Sequence, residues 1–167
     1  IDCDDIPYKN RFKLQVSTMK KNDCSICYGL AHNQDNKILG SELKAGNEID
    51  SFIFQNPIIH PTVMFKKKDI LKIGGYNESL NFCEDLDLWL RCIQNKMKFV
   101  FVDQPIILYK VPELGRQVNN WWTNIWVRCL NWKVLGPKRF LLGVSAIGLY
   151  LFLPAKMKIK IYSFLKG

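Results

Sequence analysis

The sequence predicts an α/β fold, a mixed-sheet domain followed by a helical tail, and three observations carry that reading. Its 167 residues are enough for one domain with a real core, and 48% hydrophobic against 23% charged residues is a globular rather than a disordered composition. Strand-like apolar runs alternate with helix-like segments up to about residue 110. Beyond Pro112 the chain turns tryptophan-rich and basic.

In chain order, "DIPYKNRFKLQVSTMKKN" sets Asp5 as an acidic cap ahead of Pro7, with Phe12, Val16 and Met19 at helical spacing. That pattern predicts a helix over about 7–21. "CSICYGLAHN", "QDNK" and "ILGSELK" read as strand, turn and strand, hence a hairpin. "AGNEIDSFIFQN" suggests a short helix, "HPTVMFKK" a strand that starts at His60, and "KKDILKIGGYNE" a short helix ended by Gly74 and Gly75. A helix over about 84–95 carries "EDLDLWLRC". "KFVFVD" and "PIILYK" read as two further strands.

The net charge of +9 is unevenly spread. Residues 1–104 hold 14 basic and 14 acidic residues, whereas residues 105–167 hold 10 basic residues and Glu113 alone. Any attraction for anions is therefore local to the tail. Four of the five tryptophans lie there, at 121, 122, 126 and 132, and the apolar run 140–153 follows. That run of 14 is shorter than the roughly 20 residues a bilayer crossing needs. With Lys138, Arg139, Lys156, Lys158 and Lys160 on its flanks it suits an anionic membrane interface, and its apolar length suits lipid rather than nucleic acid. Helices packed on the domain's own core are the plainer alternative. The six cysteines include Cys24 and Cys27 at C-x-x-C spacing, but without a second pair they are expected to be reduced core thiols in a cytosolic compartment. The chain opens on Ile1 inside a dense polar motif, so a fragment or processed chain is expected.

Three stretches contain groups that could do chemistry. Asp2, Asp4 and Asp5 in "DCDD" form a D-x-D pair with a neighbour, a spacing that can hold a hard divalent cation completed by phosphate oxygens; helix capping explains Asp5 equally well. His60 opens the second stretch, which ends on Gly75, Tyr76 and Asn77. In the third, Asp85 shares the apolar helix face with Leu88, Trp89 and Cys92, where desolvation would raise its pKa toward that of a general base. Glu84 and Asp87 are expected to cap the helix or face solvent, because acids at a helix N-terminus also favour the macrodipole.

The order of these pieces resembles the family 2 inverting glycosyltransferases, whose fold is GT-A. "DCDDIPYKNRFKLQV" is similar to the D-x-D segment with its following Pro and Arg, and "GGYNESLNFCEDLDLWLR" to the acceptor-side "ED" segment. The likeness covers residues 1 to about 109. It implies the C-terminal part of a GT-A domain over 1–112, lacking the earlier nucleotide-binding strands, and a membrane-interface tail over 113–167. It implies that Asp2 and Asp4 hold Mn²⁺ or Mg²⁺ on a nucleotide-sugar donor with Asp5 beside them, that Asp85 is the general base and that Glu84 is its motif neighbour. His60, Gly75, Tyr76 and Trp89 would stand on the acceptor side. The acceptor would be a glycan or a lipid-linked sugar, handled on the inner face of the cell membrane in surface polysaccharide synthesis. Where many relatives have an Arg-x-His-like segment, this chain offers Lys110 and Arg116. A non-catalytic membrane-surface module that retains the fold is the alternative.

Overall fold

The computed structural model describes residues 4–111, 121–154 and 157–158; Asp2, Cys3, Arg116, Lys156 and Lys160 lie outside these. A five-stranded mixed sheet forms the centre. Its strands are β1 (Ile6–Pro7), β2 (Ile26–His32), β3 (Ile38–Leu39), β4 (Met64–Phe65) and β5 (Phe99–Leu108). The order is β1-β5-β2, with β3 and β4 on the other edge of β2. Only β2 and β5 run parallel, pairing Ile26 with Phe99 and His32 with Leu108; the remaining pairs are antiparallel. Because β2 is central and covered on both faces, it reads as one apolar run rather than an alternation.

Alternation along β2 and β5 divides the core. Cys27, Val102 and Ile106 face helix α1 (Arg11–Asn22), which buries Met19. Ile26 and Tyr28, with Phe99 and Phe101, face α3 (Glu84–Gln94), α4 (Trp121–Leu130) and α5 (Trp132–Phe152) through Trp89, Leu88, Val127 and Leu135. The short α2 (Lys67–Lys72) ends as expected at Gly74 and Gly75, whose φ values of 89° and 68° are left-handed and suit glycine.

Several elements differ from expectation. Helix α1 begins at Arg11, not near residue 7, because Ile6 and Pro7 pair with Leu108 and Ile107. Asp5 caps no helix; its Oδ1 accepts the Lys110 N–H at 3.0 Å and ties β1 to the end of β5. The buried face of α1 is Arg11, Gln15 and Met19, while Phe12 and Val16 are exposed. "KFVFVD" and "PIILYK" are one strand, since a register shift against Gly29 and Leu30 absorbs Pro105. His60 sits in a 3-10 turn (His60–Thr62) with Pro61, not at a strand start. β3 stops at Leu39 because Gly40, at φ 92°, turns the chain away.

Beyond the sheet, α5 runs for 21 residues and bends at Gly136, where φ is 74° before Pro137. It is long and apolar enough to cross a membrane by length and composition, with mean hydropathy 1.3 and little of it buried, although the expected apolar run was shorter. One face of α4 and α5 packs inward. Arg128 Nη2 donates to the carbonyls of Phe52 and Ile53, and Arg139 bonds Asp50 and Asn47. The opposite face exposes Trp122, Trp126 and Leu130 at i, i+4, i+8, and then Leu141, Leu149 and Phe152.

Candidate active site

Helix α3 starts from Cys83, whose φ of 58° is left-handed for a residue with a Cβ and turns the chain sharply into Glu84 and Asp85. Asp85 is half-buried. Its Oδ1 accepts the Leu86 N–H at 2.7 Å and its Oδ2 accepts Asn56 Nδ2 at 2.8 Å. Burial pushes the Asp85 carboxyl above the ordinary range, with Glu84 adding, against the opposing pull of His60 and the Leu86 N–H. Glu84 stands half-buried beside it.

Of the expected acceptor-side residues, His60 and Tyr76 interact with this carboxylate. The His60 ring lies 6.0 Å from Tyr76 in a T-shaped contact and 6.3 Å from Trp89, centroid to centroid. Burial pushes the Tyr76 hydroxyl up to about 12, with Asp85 and Glu84 contributing. His60 Nδ1 and Trp89 Nε1 are buried without a hydrogen-bond partner in the described structure, an arrangement folded proteins seldom keep unless something else supplies the bond. Gly75 contributes its carbonyl, which accepts from Arg91 Nη2 at 2.7 Å, as Ile73 O accepts from Nη1 at 2.8 Å. Arg91 therefore fixes the turn that presents Tyr76.

Asp87 differs from expectation. It neither caps nor faces solvent but is 3% exposed, accepting Arg91 Nε and Asn131 Nδ2 at 2.8 Å each. The acid is buried because Arg91, one turn on, and Asn131, between α4 and α5, supply the donors.

At the sheet end where β2 and β5 finish, Asp4 is exposed and Asp5 is buried. Nearby, the Tyr8 hydroxyl bonds His32 Nδ1 at 2.7 Å, and Tyr109 N–H donates to His32 O at 2.7 Å. Ile59, beside His60, packs with Ala31, Leu39 and Ile107, with Tyr109 against them. No group of three His, Cys, Asp or Glu side chains forms a metal cage among the described residues. The exposed Asp4 carboxylate is a hard oxygen donor of the kind that binds Mg²⁺ or Mn²⁺ together with phosphate oxygens and water. Cys24, Cys27, Cys83, Cys92 and Cys129 are free.

Three further residues brace these groups, and of them only Arg11, the Arg that follows the D-x-D segment, carries a sequence signal. Arg11 donates to Pro61 O, and Gln15 Nε2 donates to Thr62 O at 2.8 Å and Cys27 O at 3.3 Å, so α1 pins the turn that carries His60. Asn56 is the third.

An α/β domain in which a desolvated carboxylate stands beside aromatic rings is the class these features define. No protein-family model matches the chain. Individual proteins do. It is 31% identical over 119 residues to an uncharacterised glycosyltransferase of Methanocaldococcus jannaschii, spanning 67% of this chain and 41% of that protein. It is 38% identical over 97 residues to an O-antigen biosynthesis glycosyltransferase of Escherichia coli, spanning 56% of this chain and 38% of that protein. With the Escherichia coli UDP-Gal:alpha-D-GlcNAc-diphosphoundecaprenol beta-1,3-galactosyltransferase it shares 33% over 100 residues, 56% and 36% of the two chains. The chain spans less than half the length of each of these curated relatives.

Proposed function

We propose that this chain is the acceptor-side part of a family 2, GT-A glycosyltransferase that moves a sugar from a nucleotide-diphosphate donor to a hydroxyl of a glycan or lipid-linked acceptor. The observation that carries the proposal is the desolvated Asp85 carboxylate beside His60, Tyr76 and Trp89, in a chain similar to several glycosyltransferases. A carboxylate whose pKa is raised by burial is suited to take a proton from an attacking hydroxyl. Asn56 and the Leu86 N–H hold its plane, and each oxygen keeps a lone pair for the incoming O–H. Attack from the face opposite the leaving diphosphate inverts the anomeric carbon. Asp4, with Asp2, would hold Mn²⁺ or Mg²⁺, which would offset charge developing on the departing diphosphate. Asp5, engaged with Lys110, keeps that segment in register with the sheet.

The exposed tryptophan stripe of α4 and the basic charge of the tail support a peripheral position on the inner membrane face, where a lipid-linked acceptor would be met. That same stripe also favours the second reading, a membrane-surface module without catalysis. Thermal unfolding with UDP and Mn²⁺ separates the two. At a hundredfold excess over Kd the donor site adds about 2.7 kcal/mol to stability. For a chain of this size we expect the midpoint to rise by on the order of 5–10 °C, and the rise to vanish in Asp4→Ala. No rise in the native protein would remove the donor site from this proposal.

A further inference from the structure

Asn56 supports an inference that deepens the general-base reading of Asp85 and rests on it. Its Nδ2 donates to Asp85 Oδ2 at 2.8 Å, while its Oδ1 accepts the Ile58 N–H at 3.1 Å. The second bond closes an Asx turn and decides which end of the amide points where. Only an amide meets both demands, since a carboxylate at this position has no donor for Asp85. The segment around it is held on both sides. Downstream, Pro57, Ile58 and Ile59 are buried, and Pro57 O accepts the Ser41 N–H at 3.3 Å. Upstream, Arg128 grips the carbonyls of Phe52 and Ile53, and Arg139 grips Asp50 and Asn47. A side chain mounted on backbone anchored at so many points delivers its hydrogen bond to a fixed place.

We propose that Asn56 is a positioning residue for Asp85, setting the plane of the carboxylate so that its remaining lone pairs meet the acceptor hydroxyl. The other titratable groups facing Asp85 are Glu84 and Cys83 from its own chain segment, His60 from the 3-10 turn and Tyr76 from the glycine turn.

Asn56→Asp tests this without dismantling the turn, because it keeps the oxygen that Ile58 uses. It replaces the donor facing Asp85 with a second acceptor and a like charge, and both changes disfavour the ionised form of Asp85. The Asp85 carboxyl carbon, followed by NMR across pH, is expected to titrate at higher pH in Asn56→Asp than in the native chain. Asn56→Ala, which removes the donor without adding charge, is expected to move it the same way by less. In the native protein, the acidic limb of the pH profile for sugar transfer from a UDP-hexose should rise with it, with neutral-pH transfer reduced on the order of 10–100-fold. An Asp85 titration unmoved in both variants overturns the proposal. So does a titration that moves while the transfer profile stays where it was. Full transfer by Asp85→Asn would overturn the general-base reading together with this one, whereas an inactive Asp85→Asn beside an unchanged Asn56→Asp profile overturns the role of Asn56 alone.

Discussion

Asp87 accepts from Arg91 on one oxygen and from Asn131 on the other, and it is through this carboxylate that α3 is fastened to the helices behind it. Two residues earlier, Asp85 meets one side-chain donor, Asn56, among the described residues. Helical periodicity distinguished the Asp85 face correctly as apolar, yet it gave no means of seeing Asp87 buried. A charge buries when a partner arrives from far along the chain, and Asn131 is such a partner. Breaking one side of a buried pair costs about 3 kcal/mol, because the other charge is left desolvated. Asp87→Asn should therefore lower the melting midpoint by on the order of 6–12 °C in a chain of this length. An unchanged midpoint would mean that Asn131 and Arg91 are satisfied without it. Arg11 and Gln15 illustrate the same limit, since their acceptors, Pro61 and Thr62, are named by the fold and not by the local sequence.

Helix α5 meets the domain where it has no side chain. A Cβ on Gly143 would come within 2.7 Å of Ile53 O and 2.9 Å of Arg128 Nε, both held in place by the clamp around residues 52–53. A Cβ on Gly148 would meet nothing within 4 Å. Gly143→Ala should cost about 1–3 kcal/mol by overpacking, while Gly148→Ala should gain up to about 1 kcal/mol from helix propensity. Paired denaturant melts would check the contrast, and equal effects would show that α5 does not dock through this face. Strands with long apolar runs, such as β2, were legible in the sequence because burial on both faces leaves no alternation to misread. β5 was legible in two pieces only, since Pro105 carries the ordinary mark of a strand end, and the bulge that accommodates it depends on the neighbouring strand.

Seen across the molecule, charge and apolar exposure coincide in the last third. The first 104 residues balance their charges, and the exposed stripe of Trp122, Trp126 and Leu130 sits in the segment that carries the excess. Near an anionic surface each basic residue adds about 1 kcal/mol, fading within a Debye length. Binding to phosphatidylglycerol vesicles should blue-shift the tryptophan emission, weaken as salt is raised, and drop at least tenfold in Trp122→Ser/Trp126→Ser, with neutral phosphatidylcholine vesicles binding less. Equal binding by the double variant would remove the stripe as the contact. The basic, tryptophan-rich character of the tail was readable from composition, whereas the grip of the same helices on residues 47–53 was not, because Arg128 and Arg139 look like two more surface charges until their acceptors are known.

The parallel ladder that joins Ile26 to Phe99 and His32 to Leu108 also sets an order of events for a chain emerging from the ribosome. Helix α1, β3 and β4 can assemble around β2 early, but its remaining edge stays open until the residues of β5 have been made. Contacts this distant in sequence are slow to form, and an uncovered apolar edge is what chaperones and aggregates both recognise. The same central strand that gives the domain its core therefore carries an open apolar edge throughout the interval before β5 arrives.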